Sequence, residues 1–321
     1  MRALITGVGG FAGQHLVRAV QQMSAVEVYG TVFLPVDSHP ELAATLAGVK
    51  QVDLRDSEAV QDLLAEVRPD YIFHLAAQAF VPRSFEAPWE TLDNNIQSQL
   101  NLFLSVINLG LPTRFLVVSS SEVYGIVPSD QLPVTETQPF RPLNPYSVSK
   151  VTQDMLGLQY HLSHQLPIVR VRPFNHIGPG QNPRFVAPSF ATQIARIEAG
   201  LQEVVIRVGN LSPRRDFTDV RDVTAAYVAA ISKGQAGAVY NVCSGQSHSI
   251  QEVLDSLLSM STAPVEVQVD PARLRVVDNP VVVGSADLLR EDTGWQPAIT
   301  FEQSLYDVLE EARARVAREI N

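Results

Sequence analysis

The sequence predicts an α/β fold, a doubly wound parallel sheet joined to a second, smaller, interleaved α/β domain. Three observations predict it. From Arg2 to about Arg172, short apolar runs alternate with helix-like stretches, the rhythm that builds a parallel sheet covered by helices. Several of those runs are apolar on both faces, which suits central buried strands better than a half-exposed antiparallel sheet. A Pro- and Gly-rich segment over residues 173–188 then breaks the rhythm.

Strands are predicted over residues 3–6, 26–32, 49–53, 71–75, 115–119 and 168–171. The helices between them are predicted over 11–22, 57–66, 89–108 and 145–164, the last opening with Asn144 as cap and Pro145 as first helical residue. Elements after Pro173 are less regular, although 222–232 reads as an amphipathic helix and 239–242 as a strand returning to the first sheet. The expected division is therefore 1–172 with 220–245 for a dinucleotide-binding domain, and 173–219 with 246–321 for a substrate domain. No repeat or flexible linker separates them, so the two are expected to share a cleft.

Bulk properties exclude several classes. A chain of 321 residues, 45% apolar and 18% charged, is large enough for two joined domains. Its 34 acidic and 24 basic residues give a formal charge of -10 without any basic run, which argues against nucleic acid or an acidic membrane as partner. Cys243 is the single cysteine, which excludes an intramolecular disulfide and a multi-cysteine zinc site and suits the cytoplasm. No run approaches the roughly 18 apolar residues a membrane helix needs. The seven histidines form no ligand-like cluster, so no metal is expected.

The motif Thr6-Gly7-Val8-Gly9-Gly10-Phe11-Ala12-Gly13 follows the first strand and opens the first helix. That position presents backbone N–H groups and the positive helix end to a pyrophosphate, as in a Rossmann dinucleotide site, with Gly7, Gly10, Phe11 and Gly13 as its residues. Asp53 and Leu54 end the third strand, and Leu75, Ala76 and Ala77 end the fourth, all facing the same crevice. The cofactor is NAD or NADP. Asp37 is the only charge over residues 32–37, which leans the choice slightly to NAD.

Tyr146 and Lys150 lie four residues apart in a predicted helix, hence adjacent on one face. A nearby ammonium favours the phenolate and is expected to lower the tyrosine pKa, which suits proton exchange with a carbinol–carbonyl pair. Ser119-Ser120-Ser121-Glu122-Val123-Tyr124-Gly125 leaves the fifth strand at its carboxyl end, where ligands bind in such sheets.

Together these motifs resemble the extended short-chain dehydrogenase/reductase family over almost the whole chain. The resemblance implies that Tyr146 is the acid/base, that Lys150 orients the nicotinamide ribose and tunes Tyr146, and that Ser120 bonds the reacting oxygen. Two later segments, Arg172-Pro173-Phe174-Asn175-His176-Ile177-Gly178-Pro179-Gly180-Gln181 and Arg214-Arg215-Asp216-Phe217-Thr218-Asp219-Val220-Arg221-Asp222, are similar to enzymes of nucleotide sugars. They look like the branch acting on GDP-mannose derivatives, as do Asn241–Gly245 and Thr293–Pro297. A GDP-linked hexose is thus the implied substrate. Arg215 and Arg275 offer planar donors for its diphosphate, and Asn175 would meet the sugar or phosphate. Gln78 and Ser121 are further expected substrate contacts. Asp278 stands where family members commonly carry Glu, and its shorter side chain reaches a nucleotide ribose less readily. The predicted helices 89–108 and 145–164 resemble those that form a four-helix dimer interface, which implies a homodimer.

Two chemistries fit the resemblance. A reductase would deliver hydride to the C4 ketone of GDP-4-keto-6-deoxy-mannose while Tyr146 protonates the oxygen, leaving Glu122 a polar-network residue. A GDP-mannose 4,6-dehydratase would need Glu122 to abstract the C5 proton. A nucleotide-sugar 4-epimerase is a weaker third fit. The reductase is favoured by the likeness of residues 174–181 and of the C-terminal segments to reductases. It is favoured also by the lack of an arginine near 32–34, where the dehydratases usually bind NADP.

Overall fold

The computed structural model describes residues 1–38, 40–273 and 279–320. The first half of the chain lays down β1 (Arg2–Thr6), α1 (Phe11–Gln21), β2 (Glu27–Val32), α2 (Pro40–Thr45), β3 (Gly48–Gln51), α3 (Ser57–Val67) and β4 (Tyr71–His74). It continues with α4 (Val81–Glu86), α5 (Pro88–Asn108), β5 (Arg114–Val118), α6 (Pro145–His164) and β6 (Ile168–Pro173). Two of these helices start at a side-chain cap. Asp56 accepts from the amides of Glu58 and Ala59 to start α3. Asn144 and Ser147 form a reciprocal capping box around Pro145 to start α6.

The remainder comprises β7 (Asn175–Ile177), α7 (Val186–Glu198), β8 (Val205–Val208), β9 (Arg214–Asp219), α8 (Val220–Lys233) and β10 (Val239–Val242). After these come β11 (Ser247–Ser249), α9 (Ile250–Ser259), β12 (Glu266–Val269), β13 (Val281–Val282), α10 (Asp287–Thr293) and α11 (Phe301–Ile320). Seven strands form one parallel sheet in the order β3-β2-β1-β4-β5-β6-β10. The strand order reverses between β1 and β4, so their carboxyl ends, with Thr6 opposite His74, open a crevice at the switch point. Apolar clusters cover both faces of this sheet, one built on Ile5, Phe73 and Val223 and the other on Leu4, Ile72 and Phe103. A third core, on Ile194, Leu254 and Leu309, joins α7, α9 and α11.

Two features depart from expectation. β6 runs on through Arg172 to Pro173, beyond the predicted stop at Val171. Its two arginines stay in the strand because Asp154 of α6, fully buried, binds Arg170 and Arg172 at 2.7 Å each. The second departure is the regularity of the later chain, whose helix α11 puts Leu305, Val308, Leu309, Ala312 and Val316 on one buried face. Among the described residues no helix is long and apolar enough to cross a membrane.

Candidate active site

At the switch point the glycine-rich turn is fixed by sterics. Gly7 has φ +71°, and a Cβ there would stand 3.0 Å from the Cα of Ala76. A Cβ on Gly13 would lie 2.5 Å from the Gly7 carbonyl oxygen, so α1 approaches the turn as closely as it does only without a side chain. Gly10 caps α1 with no side-chain acceptor, which leaves the first-turn amides for an anion. Thr6 Oγ1 holds the opposite wall. It accepts from the amides of Leu75 and Ala76 at 3.2 Å each and bonds His74 Nδ1 at 2.9 Å. Sequence reasoning passed over Thr6, although a hydroxyl at the last position of a buried strand is itself a signal.

The crevice is a cleft of about 610 Å³ whose lining includes Gly7, Gly10, Asp53, Leu54, Leu75, Ala76, Ala77 and Gln78. These residues suit a dinucleotide, with uncapped amides for phosphate and alanines where bulk would intrude. Phe11 stands beside this wall. Its ring stacks on His176 at 5.8 Å, and His15 Nε2 bonds the Pro179 carbonyl oxygen at 2.8 Å, so α1 is tied directly to the segment after β6.

Asp37 does not line the cleft. It is exposed in a short 3₁₀ turn beyond β2. The charged side chains that line the cleft along with Thr31, Val32, Phe33 and Leu34 include Asp53 and Arg55, paired at 2.6 Å, and the guanidinium holds the Asp53 carboxyl below its usual range. No arginine stands near residues 32–34 in the sequence, but β2 and β3 run parallel and the connection after β3 brings Arg55 into the lining of the same cleft.

The reacting groups expected from the sequence meet at the end of β5. Ser120 caps the short 3₁₀ turn Ser121–Tyr124, accepting from Glu122 N at 3.2 Å, and its side chain lies near enough to Tyr146 to favour the ionised phenol. Tyr146 is 8% exposed. Lys150 Nζ donates to the Val118 carbonyl at 2.9 Å and stands 5.9 Å from the centroid of the Tyr146 ring. The expected lowering of the tyrosine pKa is not what the protein alone provides. Burial pushes the phenol up to about 12, against a smaller opposing effect of Ser120, and burial pulls Lys150 down to about 7. Glu122 is exposed, with Oε2 accepting from Asn144 Nδ2 at 3.2 Å, and its charge opposes ionisation of Tyr146. Ser121 is half-buried in the same turn.

Gln78 is engaged at both ends of its amide, donating to Thr91 Oγ1 at 2.9 Å and accepting from Phe80 N at 2.6 Å. Asn95, another residue the sequence did not single out, joins Gln78 to the helix of the tyrosine through Ser149 Oγ at 2.9 Å. Asn175 is exposed at the start of β7. Arg215, half-buried on β9, donates through Nη1 to the carbonyls of Arg214 and Asn279 at 2.9 and 2.6 Å. Its acidic neighbours are pegs of the fold. Asp216 accepts from Ser244 N and Oγ, Gly245 N and Gly284 N, while Asp219 caps α8. Arg275 and Asp278 lie outside the described residues.

Comparison with known proteins decides the family. The family described as GDP-mannose 4,6 dehydratase matches residues 4–308. The chain belongs to that family. The GDP-mannose 4,6 dehydratase family shares the extended short-chain dehydrogenase/reductase fold expected from the sequence. A curated relative, GDP-6-deoxy-D-mannose reductase of Pseudomonas aeruginosa, is 40% identical over 99% of both chains. The structure of RMD from Pseudomonas aeruginosa complexed with NADPH superimposes with a TM-score of 0.87 at 38% identity, covering 98% of this chain and 99% of that one. UDP-glucose 4-epimerase of Thermus thermophilus in complex with NAD gives 0.86 at 30% identity, covering 98% and 99%. Membership in the GDP-mannose 4,6 dehydratase family thus comes with solved neighbours holding either nicotinamide dinucleotide.

Proposed function

We propose that this chain is a nicotinamide-dependent reductase of the C4 ketone of GDP-4-keto-6-deoxy-mannose. The observation that carries the reading is Tyr146, a buried phenol kept protonated at neutral pH beside Ser120. Such a phenol is poised as a proton donor. The full-length likeness to a reductase of GDP-6-deoxy-D-mannose supports the substrate.

Reduced nicotinamide, held at the glycine-rich turn, would supply the hydride to C4. Tyr146 delivers its proton to the carbonyl oxygen as the carbinol forms, and Ser120 donates to the same oxygen while charge develops there. Lys150, held by Val118, would hydrogen-bond the nicotinamide ribose and steady the phenolate left behind. Arg215 and Asn175 are assigned to the substrate diphosphate and sugar, with Arg275, Asp278, Gln78 and Ser121 as the further contacts of the same reading. Phe11 and the three glycines 7, 10 and 13 would cradle the cofactor pyrophosphate, and Asp53, Leu54, Leu75, Ala76 and Ala77 its adenosine and nicotinamide walls. Arg55 is the one cationic side chain lining the described cleft, and it supports use of NADPH.

The dehydratase reading keeps one specific support. Glu122 stands close enough to Tyr146 for its charge to act on the phenol, where a base for the C5 proton would be needed. Glu122→Gln separates the two: the reductase keeps its kcat within a few-fold, whereas a dehydratase loses turnover. Tyr146→Phe tests the shared assignment, with an expected loss of roughly 10² to 10⁴-fold in kcat.

The cofactor domain is assigned to residues 1–172 with 220–245, and the substrate domain to 173–219 with 246–321. We further assign the chain to a homodimer through α5 and α6, whose outer faces expose Leu104, Val148, Met155 and Leu162. Light scattering at micromolar concentration should give twice the chain mass. Cys243, the single cysteine, is buried outside any disulfide, which suits the cytoplasm.

A further inference from the structure

Behind the reacting groups lies a buried polar chain that no step above uses. Asp154 follows Lys150 by one helical turn on α6 and is fully buried. Its carboxylate accepts from Arg172 Nε at 2.7 Å and Nη2 at 3.2 Å, as well as from Arg170. Arg172 then reaches away from α6. Its Nη1 donates to Tyr124 Oη and to the Glu136 carbonyl at 2.9 Å each, and the guanidinium lies over the rings of Tyr124 and Phe140 at 5.3 and 4.6 Å. Tyr124 passes the chain on, donating to Asn241 Oδ1 at 2.7 Å. Asn241 is locked in turn by the Val134 carbonyl and the Glu136 carboxylate.

The ends of this chain matter. Tyr124 closes the 3₁₀ turn that Ser120 opens, and Asp154 sits on the helix that carries Tyr146 and Lys150. Ser120 and Tyr146 stand on these same two elements, with Ser120 close enough to act on the phenol. We infer that Tyr124, through Arg172 and Asp154, is a positioning residue that sets where Ser120 stands relative to Tyr146. A charged, fully enclosed network suits that task because breaking it exposes unpaired groups to a dry interior, so it has one arrangement and little play. A displacement of about 1 Å at reacting groups costs on the order of 10²-fold in rate. The inference rests on the reading of Ser120 and Tyr146 as the reacting pair.

Asp154 is a poor test, since its loss would strand two buried guanidinium groups. Tyr124→Phe removes a single hydroxyl and keeps the ring under Arg172. It is expected to lower kcat for ketone reduction roughly 10- to 100-fold, with KM for the sugar nucleotide and the Kd of NADPH within about two-fold of wild type. The decisive arm is the double variant Ser120→Ala, Tyr124→Phe. Because Tyr124 acts through Ser120, the double variant should be no slower than Ser120→Ala alone. Unchanged kcat in Tyr124→Phe overturns the inference, and so do losses that multiply in the double variant. Tyr146→Phe, run beside them, separates the failures: if it retains turnover the reacting pair itself is misassigned, whereas a silent Tyr146→Phe with a fully active Tyr124→Phe sinks only the positioning role.

Discussion

Lys150 points its ammonium at the Val118 carbonyl, 2.9 Å away, while standing 5.9 Å from the ring centroid of Tyr146. The two groups are neighbours without a direct bond, and each is governed first by burial. Lys150 is 4% exposed and its pKa falls to about 7, against the value near 10.4 of an unfolded chain. Between those two values the unfolded state binds the extra proton, so this residue makes stability rise with pH across that window, by at most about 1.4 kcal/mol per pH unit. Below about pH 7 both states carry the charge and the slope vanishes. Lys150→Met should flatten the slope, raise Tm near pH 7 and remove activity. Thermal melts of both proteins from pH 6 to 10 check it, and equal slopes would contradict it.

Gly13→Ala is expected to break the cofactor wall. The new Cβ meets the Gly7 and Val8 carbonyl oxygens at 2.5 and 2.8 Å, and both belong to the turn that must stay tight around a pyrophosphate. Overpacking of this kind costs about 1–3 kcal/mol. Titration calorimetry with NADPH should show at least ten-fold weaker binding.

Asp216→Asn removes charge from a carboxylate that is fully buried and accepts from three amides and a hydroxyl. An asparagine would turn an NH₂ group toward some of those donors. The expected loss is at least about 2 kcal/mol, given the strength of hydrogen bonds to charged groups. Denaturant unfolding measures it, and an unchanged midpoint would remove Asp216 as the peg between β9 and the 244–245 and 284 backbone.

Arg55→Ala addresses cofactor choice. Asp53 and Arg55 are both about one-third exposed, so their pairing is weak enough to rearrange around a ligand phosphate. The variant should bind NADPH about ten-fold more weakly while NADH affinity changes little. Equal losses for both dinucleotides would assign Arg55 to shaping the cleft through Asp53 alone.

The first sheet was readable because parallel strands buried on both faces leave apolar runs, and because Asn144-Pro145 and the glycine-rich turn mark where helices begin. β6 was read short because Arg170 and Arg172 look like surface charges until Asp154, sixteen or more positions away, is seen to neutralise them. Arg55 escaped notice for the same reason: sequence distance from Val32 hides the shared edge of β2 and β3. The helix α11 did carry a signal, its leucines and valines at helical spacing, beneath a run of Glu and Arg that faces outward. The reacting groups were named from spacing and from resemblance to a family, but their electrostatics were not legible, since desolvation of Tyr146 depends on every element packed around it.

The central claim is that this chain reduces a keto sugar. The purified protein should be given GDP-4-keto-6-deoxy-mannose with NADPH, and separately GDP-mannose without added reductant, with products resolved by mass. Oxidation of NADPH with a gain of two hydrogens on the keto sugar, and no change in GDP-mannose, is the predicted result. Loss of one water from GDP-mannose, with the keto sugar left unreduced, would contradict it.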